Sequence, residues 1–212
     1  MNSSRIVLVN VIVILLLVVG GGAAIYYYTQ SANYVSTNNA RIDGQPISIA
    51  APSPGQLVEW HGEIGRAFAA NERIGVVHTP GGDVNIHFPL AGTIVQQSAV
   101  INTFVGAGTP LARAYDLNNL WVTANIEETK INDIKYGQMV DVYVDAFPGT
   151  ALTGKVSKLG LATAGTFSLL PTGNTTANYT KVTQVIPVTI ALEGYRGLSL
   201  VPGMSVTVRI HK

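Results

Sequence analysis

The sequence predicts a mainly β protein, in which a single N-terminal transmembrane helix precedes a flattened β-sandwich inserted in a small antiparallel β-barrel. Three observations predict this fold class. Residues 6–28 are an apolar run without a charge, residues 52–116 contain one motif twice, and most of the remaining chain alternates apolar and polar residues with period two. The chain has 212 residues, which is enough for two small domains with cores of their own.

The apolar run 6–28 is the predicted membrane helix. At 1.5 Å per residue, about 23 residues match a hydrocarbon layer about 30 Å thick. Arg5 precedes the run and the next basic residue is Arg41, so the charge bias predicts cytoplasmic residues 1–5 and an extracytoplasmic bulk at the cell (inner) membrane. Small residues at 20–24 leave a cleaved signal peptide as the alternative. The chain has no cysteine, which excludes a lipid-modified cysteine anchor and disulfides.

The duplicated motif aligns residues 52–79 with residues 89–116. In each half, a turn with Pro and Gly leads into a short apolar strand, a turn of small residues and a second apolar strand. The predicted turn residues are Pro52, Gly55, Pro89, Gly92, Gly106 and Gly108. Two interlocked copies of this pattern resemble a lipoyl/biotinyl-type sandwich, and we assign residues 51–116 to this domain.

The short hairpin 80–88 joins the two halves at the place where a lipoyl or biotinyl carrier presents its modified lysine. The first lysine of the chain is Lys130, so neither biotin nor lipoate is expected on this domain, and no cofactor is predicted. The turn of the hairpin is instead the predicted partner-binding tip. It consists of Thr79, Pro80, Gly81, Gly82 and Asp83.

Residues 117–212 are predicted to form most of the barrel. Period-two strands are expected around 120–126, 140–144 and 206–210, a short helix within 127–136, and further strands around 154–159 and 181–190. Closure into a barrel removes exposed strand edges. Residues 29–50 are interpreted as a linker and the first barrel strand, so that the sandwich is an insertion, and residues 164–180 are a candidate partner-facing loop.

Five segments, distributed over nearly the whole chain, resemble one family. Residues 37–44, 119–129, 166–171, 178–188 and 200–206 read TNNARIDG, NLWVTANIEET, TFSLLP, NYTKVTQVIPV and LVPGMSV. They are similar to membrane fusion proteins of the HlyD/EmrA type, the adaptor subunits of efflux pumps and secretion systems. The resemblance implies a homo-oligomeric adaptor of a multidrug or small-molecule exporter, paired with an inner-membrane transporter of the major facilitator superfamily. Family members usually carry a long coiled-coil hairpin between the lipoyl halves. The hairpin 80–88 replaces it here, so no outer-membrane channel is expected as a partner.

No catalytic or metal site is predicted. His61, His78, His87 and His211 lack helical i, i+4 spacing, although His78 and His87 could approach each other across the hairpin, and no serine lies in a nucleophile-elbow pattern. A formal net charge of +1 without a Lys/Arg cluster argues against nucleic acid as a partner. The alternative that remains open is a membrane-anchored extracytoplasmic enzyme or binding module that uses the barrel for substrate recognition.

Overall fold

The structure is a computed structural model that describes residues 12–22, 33–167, 183–195 and 197–212. Within these ranges the protein is mainly β. In chain order the strands are β1 (Tyr34–Asp43), β2 (Pro46–Ala50), β3 (Gly55–Trp60), β4 (Ala67–Phe68), β5 (Arg73–Thr79), β6 (Gly82–His87), β7 (Gly92–Gln97), β8 (Phe104–Val105), β9 (Pro110–Tyr115), β10 (Trp121–Glu127), β11 (Met139–Val144), β12 (Ala151–Leu159), β13 (Val185–Glu193) and β14 (Ser205–His211). Two 3-10 helices lie at Glu128–Asp133 and Ala164–Phe167.

Six of the strands close into an antiparallel barrel in the order β1-β10-β13-β12-β11-β14, with β14 pairing back to β1. Alternate residues of these strands point inward and are completely buried, as at Val122, Val142, Ile190 and Val208. The side chains fill the interior, which is the usual outcome for a barrel of this small size. The predicted barrel is confirmed, and the period-two pattern arises because each strand has one face in this core.

The eight other strands form the predicted sandwich, inserted between β1 and β10. Its two four-stranded sheets have the orders β2-β9-β7-β4 and β6-β5-β3-β8. Each strand of one sheet has a counterpart in the other sheet, and in every pair the two strands are 37 residues apart along the chain. Ala67–Phe68 and Phe104–Val105, for example, are 37 residues apart. The sequence duplication therefore corresponds to a pseudo-two-fold axis in the structure, which relates one sheet to the other.

Backbone geometry repeats with the same spacing of 37 residues. Two positions in each copy have positive φ, namely Gly65 (87°) and Asn71 (63°) in the first and Asn102 (68°) and Gly108 (80°) in the second. Glycine and asparagine are the residues that adopt the left-handed region most readily, and the two copies use them in opposite order. The two copies therefore share the same backbone conformation at positions where their amino acids differ.

Three elements differ from the sequence-based expectations. The run 29–50 is predicted as a linker with one barrel strand, but Pro46–Ala50 forms a separate strand that pairs with β9 in the sandwich. Residues 82–87 of the hairpin form a full strand, β6, which is the counterpart of β2 in the second sheet of the sandwich. The expected helix within 127–136 is a single 3-10 segment, Glu128–Asp133. It packs only the partly buried Ile131 against the barrel core, which is too little apolar contact to stabilise a longer helix.

The N-terminal region is described only in part. Residues 12–22 are helical, and residues 6–11 and 23–28 of the predicted transmembrane helix lie outside the described residues. In the part of the chain that the structure describes, no helix combines the length and the apolar character needed to cross a membrane. Most of the predicted partner-facing loop 164–180 also falls outside the described ranges, which resume at residue 183.

Candidate functional site

The predicted partner-binding tip is a tight turn between β5 and β6. Pro80 and Gly81 form the turn, and the strands pair from Thr79 and Gly82 onward. The Thr79 hydroxyl Oγ1 donates to the Gly82 carbonyl at 2.8 Å and accepts from the Gly81 amide at 3.2 Å. These local bonds fix the turn, and the proline removes a donor that the turn does not need.

A contact between His78 and Asp83 lies at the base of this turn. His78 Nδ1 is 2.7 Å from Asp83 Oδ1, and both side chains are mostly exposed. An exposed pair of this kind contributes little to stability.

The internal symmetry places the tip at the end of the sandwich away from the barrel. The chain enters and leaves the sandwich at Pro46 and Tyr115, which are paired with each other. Their counterparts 37 residues away are Asp83 and His78, which are also paired with each other. Because the pseudo-two-fold axis exchanges these two ends, the tip lies opposite the connection to the barrel. The far end of β1 in turn carries Tyr34, paired with His211.

A cleft of about 600 Å³ lies between the sandwich and the barrel. No pattern in the sequence predicted it. Its walls are mainly apolar, with one charged pair, Arg41 and Asp43, 3.9 Å apart. Exposed Ile64 and Val201 also line it. The lining residues come from three distant parts of the chain, in the ranges 41–43, 64–117 and 201–203. Only the insertion of one domain into the other brings them together, and no local motif indicates it.

The glycines predicted as turn residues take two different roles. Gly55 and Gly92 begin strands β3 and β7, where the neighbouring backbone comes very close. A Cβ on Gly92 would lie 3.0 Å from the Tyr115 carbonyl oxygen, and a Cβ on Gly55 would overlap the His78 carbonyl oxygen. Gly106 and Gly108 lie in the turn after β8. Pro52 and Pro89 occupy equivalent bends before β3 and β7.

The four histidines do not come together. His78 lies opposite Asp83, while His87 lies opposite Arg73 at the other end of the hairpin, so the approach considered for these two histidines does not occur. His61 contacts Glu59, and His211 contacts Asp141. Over residues 12–22, 33–167, 183–195 and 197–212, no group of three or more His, Asp or Glu side chains is arranged to hold a metal ion.

Comparison with known proteins gives consistent results. Residues 119–211 match the AAEA-like beta-barrel domain. The chain is 40% identical over 210 residues to the putative efflux system component YhbJ of Bacillus subtilis (strain 168), and the alignment covers 99% of this chain and 94% of that protein. It is 33% identical over 164 residues to the multidrug export protein EmrA of Escherichia coli (strain K12), covering 77% of this chain and 37% of that protein.

A solved structure supports the fold independently. The periplasmic adaptor protein EmrA aligns with a TM-score of 0.57 at 11% identity, over 85% of this chain and 99% of that chain. The structure has the predicted order of one barrel strand, the inserted sandwich and the remaining barrel strands. The chain belongs to the membrane fusion protein family, in its EmrA-type branch of efflux adaptors.

Proposed function

We propose that this chain is the membrane-anchored adaptor of a multidrug or small-molecule efflux system, and that it scaffolds the extracytoplasmic exit path of an inner-membrane transporter. The observation that carries the proposal is the similarity to a putative efflux system component over 99% of this chain and 94% of that protein. A fold alone would not assign a function, but identity of 40% along both chains favours a shared role.

The proposed arrangement follows the order of the domains. Residues 6–28 cross the cell membrane once, with residues 1–5 in the cytoplasm. The barrel comes next, because β1 begins at Tyr34, soon after the anchor. The sandwich follows at the other end of β1, and its tip points away from the membrane. In this arrangement the barrel is close enough to contact the extracytoplasmic face of a transporter.

The adaptor is proposed to be short. Where the family usually has a long coiled-coil hairpin, this chain has a turn made by Pro80 and Gly81. A sandwich and a barrel placed end to end reach at most roughly 60–80 Å, given strands of ~5–6 residues and sheets ~10 Å apart. This reach suits release of substrate just outside one membrane. It gives no structural basis for contact with an outer-membrane channel.

The proposed role is that of an adaptor that binds partner proteins, rather than that of an enzyme. Side chains such as Ile42, Val142 and Val208 are completely buried in the barrel core, so a ligand would have to bind outside the barrel. This packing weakens the alternative of an enzyme or binding module that holds its substrate in the barrel. The proposed partners are a transporter of the major facilitator superfamily, the lipid bilayer and further copies of the chain.

Co-purification tests the proposal. The full chain carrying a C-terminal tag is purified from its own cells in a mild detergent, and the captured proteins are identified by mass spectrometry. The expected result is a polytopic transporter at a fixed ratio to the adaptor. A matched control replaces residues 1–28 with a cleavable signal peptide, which should release the protein and reduce the recovery of transporter. Capture of a hydrolase, or of no membrane protein, would refute the proposal.

A further inference from the structure

A second cavity lies on the outer wall of the barrel, and we name it the Trp121 pocket. Its volume is about 430 Å³, which is within the roughly 300–1,000 Å³ of small-molecule sites. The described residues that line it come from strands β10, β12 and β13, from residues 118–120 and from Tyr195, and none of them lines the cleft between the domains. The Trp121 pocket is therefore a separate site.

The register of β10 and β13 places an aromatic ring in this pocket. Trp121 lies opposite Ala191. The next residues inward along the two strands, Val122 and Ile190, are completely buried in the core, so Trp121 and Ala191 are on the outer face. The side chain of Ala191 is too short to cover the indole. A partly exposed tryptophan ring is therefore available to a ligand on the outer wall.

A β-bulge in β12 adds a charge to the same pocket. The register between β12 and β13 shifts between Val156 and Lys158. Val156 is buried in the core, and strict alternation would turn Lys158 inward as well. The extra residue, Ser157, reverses the alternation, so Lys158 is exposed and Leu159 packs against the core instead. The bulge thus brings an ammonium group to the Trp121 pocket.

Lys158 gives the pocket a positive charge. It is the one charged residue among the described residues that line the pocket. On the same strand, Lys155 Nζ lies 2.9 Å from Glu193 Oε1. Within the described part of the chain, no carboxylate pairs with Lys158 in this way. An ammonium group without such a partner attracts an anionic group of a ligand.

Polar groups around the ring can both donate and accept hydrogen bonds. The Ser157 hydroxyl donates to the Thr189 carbonyl at 3.0 Å, which leaves its oxygen as an acceptor. The Tyr195 hydroxyl accepts from the Leu120 amide at 2.8 Å, which leaves its proton as a donor. The side-chain amides of residues 118 and 119 add further donors and acceptors at the exposed rim.

This combination of groups restricts the chemistry of the ligand. The face of an aromatic ring carries partial negative charge and favours the C–H groups of a ligand ring. The surrounding amides and hydroxyls need hydrogen-bonding partners once a ligand displaces water. A purely apolar ligand would leave them unpaired, and a cationic ligand would be repelled by Lys158. The ligand that satisfies all three requirements has an apolar ring face, many hydroxyl groups and a negative charge.

We propose that the Trp121 pocket binds an acidic sugar, meaning a pyranose ring that carries a carboxylate or a phosphate. The ring lies against Trp121, its hydroxyl groups bond to the amides and hydroxyls of the pocket, and its anionic group contacts Lys158. A free sugar and the same unit within a surface polysaccharide share this chemistry. The site goes beyond the adaptor role, because it gives the outer wall of the barrel a ligand of its own.

Titration of the full chain tests the proposal, in a detergent without a sugar headgroup that could occupy the site. Trp60 is nearly buried in the sandwich, so a change in emission on binding reports Trp121. The probes are galacturonate, glucuronate and glucose 6-phosphate. Galactose lacks the charge and cyclohexanecarboxylate lacks the hydroxyl groups, so these two are the matched control ligands. At least one probe should bind about 10-fold more tightly than both controls. No response to any probe, or equal binding of a control, would overturn the proposal.

Two matched pairs of variants locate the site. Lys158→Gln should raise the dissociation constant about 10-fold, because the ligand loses its charged partner. Lys155→Gln, on the same strand but outside the pocket, should leave it unchanged. Ala191→Leu should weaken binding by about as much, because the larger side chain covers the indole, whereas the equally exposed Ala151→Leu should not. Unchanged affinity in Lys158→Gln or in Ala191→Leu would contradict the assignment.

The source of the sugar is distinguished in the same assay. The acidic sugar that binds is compared with a trisaccharide that contains it. Binding of the trisaccharide about 10-fold more tightly would identify a polysaccharide unit as the ligand, and equal affinity would identify the free sugar. Both results agree with an acidic-sugar site. None of these measurements involves a transporter, so their failure is distinct from failure of the adaptor role.

Discussion

Replacement of Gly55 by alanine tests the close approach of strands on which the repeated sandwich depends. The Cβ introduced at this position would overlap the carbonyl oxygen of His78 on the neighbouring strand and lie 2.8 Å from a side-chain carbon of Val77. The oxygen belongs to the backbone, so no side-chain rotation can relieve the overlap. The start of β3 would have to move away from β5 by about 1 Å to restore ordinary van der Waals contact.

The expected cost follows from this displacement. Overpacking in a core costs about 1–3 kcal/mol, and the shift also weakens strand hydrogen bonds worth about 0.5–1.5 kcal/mol each. We therefore expect Gly55→Ala to lower the free energy of unfolding by about 3–4 kcal/mol. Gly92→Ala, its counterpart, meets the Tyr115 oxygen at 3.0 Å and the movable end of Ile47 at 2.8 Å, so about 1–2 kcal/mol is expected.

The assay is urea unfolding of the full chain in a mild detergent, followed by the fluorescence of Trp60. This side chain is nearly buried in the sandwich, and its Nε1 donates to the Gly62 carbonyl at 2.9 Å. The chain has two tryptophans, so a Trp121→Phe background leaves Trp60 as the reporter of this domain. Gly81→Ala is the control, since its nearest atom is 3.8 Å from the new Cβ. Equal midpoints for Gly55→Ala and Gly81→Ala would refute the reasoning.

Three further predictions concern the anchor, the tip and the barrel. A reporter that is active only outside the cytoplasm, fused after Lys212, should be active, and activity of a cytoplasmic reporter there would reverse the orientation. Replacement of Thr79–Asp83 by a Gly/Ser linker of equal length should leave membrane insertion and transporter recovery intact, and loss of recovery would contradict the short-adaptor proposal. Tyr195→Phe should destabilise the barrel by about 1–3 kcal/mol in a thermal melt, because the Leu120 amide loses its buried acceptor at 2.8 Å; an unchanged melting temperature would show that water replaces the hydroxyl.

The sequence allowed the sandwich to be predicted because its repeat preserves the physical requirements of the fold. Gly55 and Gly92 recur at the spacing of 37 residues, and apolar strand residues recur around them. The match is weaker at the left-handed positions, where Asn71 aligns with Gly108. Glycine and asparagine both tolerate this conformation, so the backbone conformation repeats although the amino acids differ.

Relations between distant segments could not be predicted in the same way. Strand β2 (PISIA) alternates buried Ile47 and Ile49 with exposed Pro46 and Ser48, so its pattern indicates a strand. Five residues do not indicate whether that strand pairs in the barrel or with β9 in the sandwich. The cleft depends on the domain insertion that brings Ile64 of the sandwich and Val201 of the barrel domain to the same cavity. Phe104 fits a strand pattern equally well in a core or on a surface. Only the structure shows that its edge is uncovered while the equivalent edge near Ile64 meets the barrel.

The most direct test of the adaptor function is the rate of export in living cells. A strain that lacks this gene but retains the transporter is loaded with a fluorescent efflux substrate, and loss of the dye is followed after energisation. Export should be slow in this strain and should return to the parental rate when the full chain is supplied. A chain whose residues 1–28 are replaced by a cleavable signal peptide should restore it poorly. Equal export rates with and without the full chain would contradict the adaptor function.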